Sequence, residues 1–318
     1  MVSSKIQGIS NVNLPRASRC WDGLLPSSNL LLAMQPWALI SPASRGIGLH
    51  LARHLLQNTK LPIVTTARKD LDQAKESILD GLHDVDQKRL NVLKLDVLGM
   101  QSFLFPCKPL SPFTTLMPTL TDENTIQDAA SACSDLFPKK ENYLHISYAI
   151  PGILFPEKSP QQIDHDDALL TFRTNTLGPM MMLKHFSPFL PRKSTQLAED
   201  PSLPKSAVWA TMSARVGSIT DNQLGGWYSY RASKAAVNQV TKTFDNHLRT
   251  ASGDKAIAIS LHPGTVKTEF SKEFWSGVKE GKLFSPEFSA EKLYEVVVGR
   301  TLDDRGNCYD WKGEQVPP

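Results

Sequence analysis

From Trp37 onward, short apolar runs rich in β-branched residues recur along the chain, at 37–41 (WALIS), 62–66 (PIVTT), 91–95 (NVLKL), 143–147 (YLHIS), 207–212 (AVWATM) and 256–261 (AIAISL). Between them lie longer stretches with apolar residues at helical spacing, over 47–58, 122–137, 166–187 and 229–249. Strands alternating with helices predict right-handed βαβ units and a parallel sheet covered on both faces. A last short run near 307–311 (NCYDW) brings the expected strand number to about seven. The expected fold class is therefore α/β, a doubly wound parallel sheet with helices on both faces. Ligands of such sheets bind beyond the carboxyl ends of the strands, where the strand order switches, so chemistry is expected in the loops that follow strands.

Two segments stand outside this alternation. Residues 1–33 show no strand or helix pattern and hold Lys5, Arg16 and Arg19 against Asp22 as the only acid. That composition fits a mitochondrial transit peptide, but no continuous basic amphipathic face runs through it. A disordered extension and a translation start at Met34 are the alternatives. Residues 98–120 carry Pro106, Pro109, Pro112 and Pro118, which forbid a continuous helix, yet are too apolar for a comfortable solvent loop. Joining Asp96-Val97 directly to Thr121-Asp122-Glu123 restores a strand, a capped turn and a helix, so 98–120 reads as an insertion, such as a translated intron. Residues 34–318 otherwise read as a single domain, with 191–206 as a polar, Pro-containing surface loop.

Composition changes this picture little. The 318 residues are 41% hydrophobic and 21% charged, with a formal net charge of +3. This is ordinary for a globular chain with a sizeable core, and there is no dense Lys/Arg cluster to imply nucleic acid. The four cysteines, Cys20, Cys107, Cys133 and Cys308, form no CxxC pair; a zinc site and a disulfide framework are not expected, and a reducing, cytoplasmic compartment is (mitochondrial if 1–33 is a transit peptide). No apolar run approaches the roughly 18 residues of a membrane span.

The loop after the first strand reads Ser41-Pro42-Ala43-Ser44-Arg45-Gly46-Ile47-Gly48. Two glycines opening a helix let backbone approach a pyrophosphate, although two glycines alone also suit a plain turn. The second strand ends in Thr65-Thr66-Ala67-Arg68-Lys69, with a cation where a carboxylate would accept from a ribose 2′-hydroxyl. Arg68, together with Arg45, favours a 2′-phosphate, hence NADP(H) over NAD(H); a solvated surface cation is the bland reading of either arginine.

Tyr230 and Lys234 stand four residues apart at the start of a helix, on one face. A cation beside a phenol favours the phenolate and lowers a pKa that is about 10 unperturbed. Such a pair moves a proton to or from a substrate oxygen near neutral pH. The pair follows a strand that ends at Ser213 and precedes Pro263-Gly264-Thr265-Val266-Lys267-Thr268.

Taken together these motifs resemble the short-chain dehydrogenase/reductase family, whose fold is of the Rossmann type. Ser41-Pro42-Ala43-Ser44-Arg45-Gly46-Ile47-Gly48 is similar to the TGxxxGxG fingerprint, with Ser41 for Thr and Pro42 for the first Gly. The resemblance implies cofactor contacts from Ser41, Ser44, Arg45, Gly46, Ile47, Gly48, Arg68, the Asp96-Val97 pair, Gly152, Pro263, Gly264, Val266 and Thr268, with Tyr230 and Lys234 beside the nicotinamide ribose. It implies that Asn175 anchors a water linked to the lysine. Two matches are poor: Ala149-Ile150-Pro151-Gly152 stands for NNAG, and Ser213-Ala214 stands for Ser-Ser, leaving Ser213 as the expected catalytic serine and Ser218 as its rival. Residues 213–234, with Asn222 and Gly225-Gly226-Trp227, are similar to the C-factor/sniffer-like carbonyl reductase subgroup, as are Tyr309-Asp310-Trp311-Lys312-Gly313 and the closing Val316-Pro317-Pro318.

The expected function is NADP(H)-dependent interconversion of a small-molecule carbonyl and alcohol, in a homodimer or homotetramer, with no metal. The alternative is a cofactor-binding signalling or regulatory protein with little turnover. Residues 269–290, with Phe270, Phe274, Trp275, Phe284 and Phe288, are expected as a lobe over the substrate pocket; core or subunit interface is the other reading of these aromatics.

Overall fold

The computed structural model describes residues 34–98 and 123–318. The expectations for 1–33, and for 98–120 beyond Leu98, lie outside the described residues. The elements run β1 (Gln35–Ser41), α1 (Gly46–Asn58), β2 (Ile63–Ala67), α2 (Leu71–Leu79), β3 (Leu90–Lys94), α3 (Glu123–Leu136), β4 (Asn142–Ala149), α4 (His165–Phe172), α5 (Gly178–Phe186), β5 (Ala207–Met212), α6 (Tyr228–Ala251), β6 (Ala256–His262), β7 (Thr265–Val266), β8 (Leu283–Phe284), α7 (Pro286–Val298), β9 (Cys308–Asp310) and β10 (Gln315–Val316).

Among the described residues the main sheet has eight strands in the order β10-β9-β6-β5-β4-β1-β2-β3, one more than expected. The extra strand is β10, two residues that pair antiparallel with β9 while the other neighbours run parallel. Two residues are too short for a periodicity to register. Residues of β1, β4, β5 and β6 are almost wholly buried, which is why their sequences read as continuous apolar runs. One face packs on Leu51 and Leu55 of α1, Ile78 of α2 and Leu293 and Val297 of α7. The other packs on Ile126 and Cys133 of α3, Met182 and Phe186 of α5 and Phe244 and Leu248 of α6. The order switches between β1 and β4, and the loops after those two strands face each other there: Ile150 N donates to Ser41 O at 2.7 Å.

Three expectations need correction. Helices α2 and α7 lie outside the four helical stretches read from the sequence. The lobe is shorter than 269–290: β7 and β8 pair at its base, and α7 already starts at Pro286 with Ser285 as its cap. Phe284 and Phe288 pack on Trp311, with ring centroids 4.4 and 5.8 Å from it. The stretch 191–206 is irregular, as expected, but it is not simply surface. Leu203 and Ser206 are buried, and Tyr143 Oη, His145 Nε2 and Tyr294 Oη tie the stretch down at Ala198, Pro204 and Ser202.

Candidate active site

The first loop turns tightly. Gly46 has φ +57, and a Cβ added at Gly48 would lie 2.0 Å from Pro42 O, so that position accepts no side chain while the loop keeps its path. The Ser41–Pro42 bond is cis. A Cβ at Gly46 would meet Thr268 Cγ2 at 3.5 Å, which places the loop after β6 directly across from the glycine loop. Ser44 and Arg45 are exposed and Ile47 is half-buried against the core. Ser41 is different: it is fully buried and its Oγ is 2.6 Å from Thr66 Oγ1. Its side chain therefore knits β1 to β2 rather than facing a ligand, because the hydroxyl is already engaged inside the sheet.

Arg68 follows β2 and is exposed; neither its guanidinium nor that of Arg45 has a polar partner among the described residues. Asp96 accepts from Leu98 N at 3.0 Å through Oδ1, a turn-forming bond that uses one carboxylate oxygen. Val97 packs where a Cβ on Gly178 would fall, 2.8 Å from Val97 Cβ. Gly178 thus permits the helix to approach the end of β3.

Asn175 sits in a π-turn, Arg173–Leu177, between α4 and α5, closed by Gly178 N donating to Arg173 O. One wide turn in an otherwise regular helix re-aims the residues it contains. Fully buried, Asn175 acts as a piece of strand: Oδ1 accepts from Ile153 N at 2.8 Å and Nδ2 donates to Ile153 O at 2.9 Å and to Ser233 Oγ at 3.0 Å. Its amide is spent on the loop after β4, so the side chain is not what would hold a water beside the lysine. Gly152 lies at the meeting point. A Cβ there would be 3.7 Å from Lys234 Nζ, 3.8 Å from Asn175 Oδ1 and 3.8 Å from Phe270 Cε2.

Tyr230 and Lys234 lie one turn apart near the start of α6. Tyr230 is 7% exposed, and its hydroxyl has no hydrogen-bond partner among the described residues. Lys234 is 1% exposed, donates to Met212 O at 2.8 Å and holds its Nζ 5.7 Å from the Tyr230 ring centroid. Burial raises the tyrosine pKa well above its ordinary value and pulls the lysine down to about 7. The expectation that the cation lowers the phenol is thus reversed here: both groups have lost water, and each loss favours the neutral form. Gly217 lets the turn after β5 run against Lys234, its Cβ position being 2.7 Å from Lys234 C.

The serines are both committed. Ser213 Oγ donates to Lys234 O at 3.2 Å. Ser218 Oγ donates to Pro318 O at 3.2 Å and accepts from Asp221 N at 3.0 Å. Ala214 is buried beside them. Pro263 and Gly264 follow β6, with Gly264 at φ +74 under Phe284, and Val266 is buried in the β7–β8 pair. Trp227, Phe270 and Phe274 gather at Tyr230: Trp227 and Phe270 each have centroids 6.1 Å from its ring, and Phe274 is 5.0 Å from Trp227. Among the described residues no helix is long and apolar enough to cross a membrane.

No family model matches the chain. Its relatives include a 1-hydroxy-2-glutathionyl-2-methyl-3-butene dehydrogenase of Rhodococcus, 29% identical over 187 residues, 59% of this chain and 72% of that protein. They also include the C-signal protein of Myxococcus xanthus, 28% identical over 155 residues, 49% of this chain and 81% of the other. Among solved structures, the carbonyl reductase Sniffer of D. melanogaster has a TM-score of 0.68 at 24% identity, covering 89% of this chain and all (100%) of its own. An NADPH-bound carbonyl reductase from chicken fatty liver has a TM-score of 0.69 at 23% identity, covering 90% and 100%. This sheet, the glycine loop at its switch point and the meeting of Asn175 and Lys234 at Gly152 agree with those likenesses: the chain is similar to dehydrogenases in sequence and has the fold of these carbonyl reductases.

Proposed function

We propose that the protein is an NADP(H)-dependent oxidoreductase that interconverts a carbonyl and an alcohol, with Tyr230 as the acid/base. The observation that carries this reading is the unpartnered Tyr230 hydroxyl, nearly buried one helical turn from Lys234. No described protein group engages the hydroxyl, so it is free to bond a substrate oxygen in place of water.

The residues fit the cofactor. The Gly46–Gly48 turn leaves room for backbone to approach a pyrophosphate, and Gly46 faces Thr268. Arg45 and Arg68, exposed and unpaired among the described residues, suit a 2′-phosphate, and the chicken-liver carbonyl reductase is NADPH-bound. Asp96, Val97 and Gly152 would line the adenine and ribose ends, with Pro263, Gly264 and Val266 near the nicotinamide. When bound, NADPH supplies the hydride.

In reduction, Tyr230 Oη gives its proton to the substrate oxygen as negative charge develops there; in oxidation it takes it back. Lys234 Nζ spends one hydrogen on Met212 O and keeps the others for ribose hydroxyls. Asn175 holds Ile153, and with it the loop around Gly152. Ser213 orients the substrate oxygen only by giving up its bond to Lys234 O. Trp227, Phe270 and Phe274 around Tyr230 suit an apolar substrate, and exposed Leu169, Phe172 and Met180 on α4–α5 support a dimer or tetramer.

A signalling protein with little turnover is the second reading, favoured by Ala214 in place of a serine and by the likeness to the C-signal protein. A panel of carbonyl compounds assayed with NADPH and NADH separates them. Turnover with NADPH in excess of NADH is expected; NADPH binding with no turnover on any member would favour the second reading.

A further inference from the structure

We propose that Glu157, in the loop after β4, is the positioning residue for Tyr230: a buried carboxylate that caps α6 from a distance and fixes the start of that helix relative to the Gly152 loop. This rests on the reading of Tyr230 as the acid/base.

Helix α6 has no local cap. Its N-cap residue is Trp227, in the left-handed region at φ 52, ψ 46, with no side-chain capping bond. Gly225 and Gly226 before it are also left-handed, at φ +65 and +67. The first turn of a helix leaves several N–H groups unsatisfied, and here they begin two residues before Tyr230. Glu157, 72 residues earlier in the chain, meets them: Oε2 accepts from Ser229 N at 2.9 Å, and Oε1 accepts from Ser229 Oγ. Its main-chain oxygen accepts from Trp227 N at 2.6 Å. A side chain at Gly226 would crowd that oxygen, at 3.2 Å. From the other side Arg231 closes the run-in, donating from Nε to Gly226 O at 2.9 Å and from Nη2 to Gly225 O at 3.0 Å.

Glu157 is 4% exposed and forms no ion pair among the described residues, so its charge is balanced by these donors and the helix N-terminus. Burying a carboxylate costs more than the Ser or Asp that does this work from the N-cap position. What Glu157 adds is reach. The loop it sits in carries Gly152, 3.7 Å (as a Cβ position) from Lys234 Nζ, and is pinned upstream at Ile153 by Asn175. Glu157 pins it downstream to the residue next to Tyr230. Loop and helix therefore move as one, where the family's asparagine amides are absent from Ala149-Ile150.

Reach, not charge, is then what the variants must preserve. Glu157→Gln keeps the length, accepts from Ser229 N and donates to Ser229 Oγ; kcat is expected within about threefold of wild type. Glu157→Asp keeps the charge but withdraws it by one methylene, and kcat is expected to fall about tenfold. Glu157→Ala is expected to lose about a hundredfold, the scale of a misplacement of about 1 Å. NADPH affinity, measured separately, should stay within about twofold in all three. An Asp variant as active as wild type overturns the proposal, as does a kcat loss matched by an equal loss of NADPH affinity. Should Glu157→Ala not fold, the Gln–Asp comparison decides alone. Should wild type turn over no carbonyl, the acid/base reading fails on its own. Glu157 is then judged by amide hydrogen exchange at Ser229: faster exchange in Asp than in Gln supports the clamp, and equal exchange overturns it.

Discussion

Lys234 has exchanged water for one carbonyl, Met212 O at 2.8 Å, and burial brings its pKa from 10.5 to about 7. The unfolded state then binds more protons between those two values, so this group costs stability progressively as pH falls from about 10.5 to about 7, and the cost is complete below that. Lys234→Met removes the cost while abolishing the proposed reaction. Its stability relative to wild type should be greater at pH 7 than at pH 9, by about 2 kcal/mol; a gap independent of pH, followed by chemical denaturation, would contradict the assignment. At the residue scale the sequence revealed identities better than states. Tyr230, Lys234 and Asn175 could be picked out by spacing and resemblance, but burial reverses the expected shift of the phenol. Glu157 was illegible, because nothing local marks a residue whose partner lies 72 positions away. The partner of the Ser41 hydroxyl, Thr66 on a neighbouring strand, could not be read either.

Elements that bury one continuous face were readable, and those that do not were missed. Strands β1, β4, β5 and β6 announce themselves as apolar runs, whereas α2 contributes only Ala74 and Ile78 to the interior and β10 has two residues. The helix expected over 166–187 is present with a π-turn in it; hydrophobic spacing over so few residues does not register one extra residue per turn. The glycine loop shows the opposite case, where geometry sharpens a weak motif. With Pro42 O only 2.0 Å from a Cβ at Gly48, Gly48→Ala must displace the loop. Expected are a loss of about 1–3 kcal/mol in stability and an NADPH affinity weaker by about tenfold or more, checked by denaturation and cofactor titration.

Across the whole molecule, α6 connects the site to the far edge of the sheet. Asp245, fully buried, accepts from Ala258 N at 3.1 Å, Arg305 Nε at 3.0 Å and Arg249 Nε at 3.3 Å. It ties the tyrosine helix to β6 and to the segment leading into β9. Removing one partner of a buried ion pair leaves the other uncompensated, so Asp245→Ala is expected to cost about 3–5 kcal/mol in unfolding free energy; a loss below about 1 kcal/mol would show that the network carries little. The doubly wound, parallel class of the sheet was legible because strand–helix alternation permits few topologies; its strand order and switch point were not. The reach of the substrate lobe was not, since Phe284 and Phe288 look the same in sequence whether they face a pocket or Trp311. The central claim concerns a single proton. Hydride transfer from NADPH to a carbonyl compound, measured side by side in wild type and Tyr230→Phe with NADPH affinity determined for both, tests it most directly. Turnover should fall by about a hundredfold or more with affinity nearly unchanged; full turnover in Tyr230→Phe would contradict it.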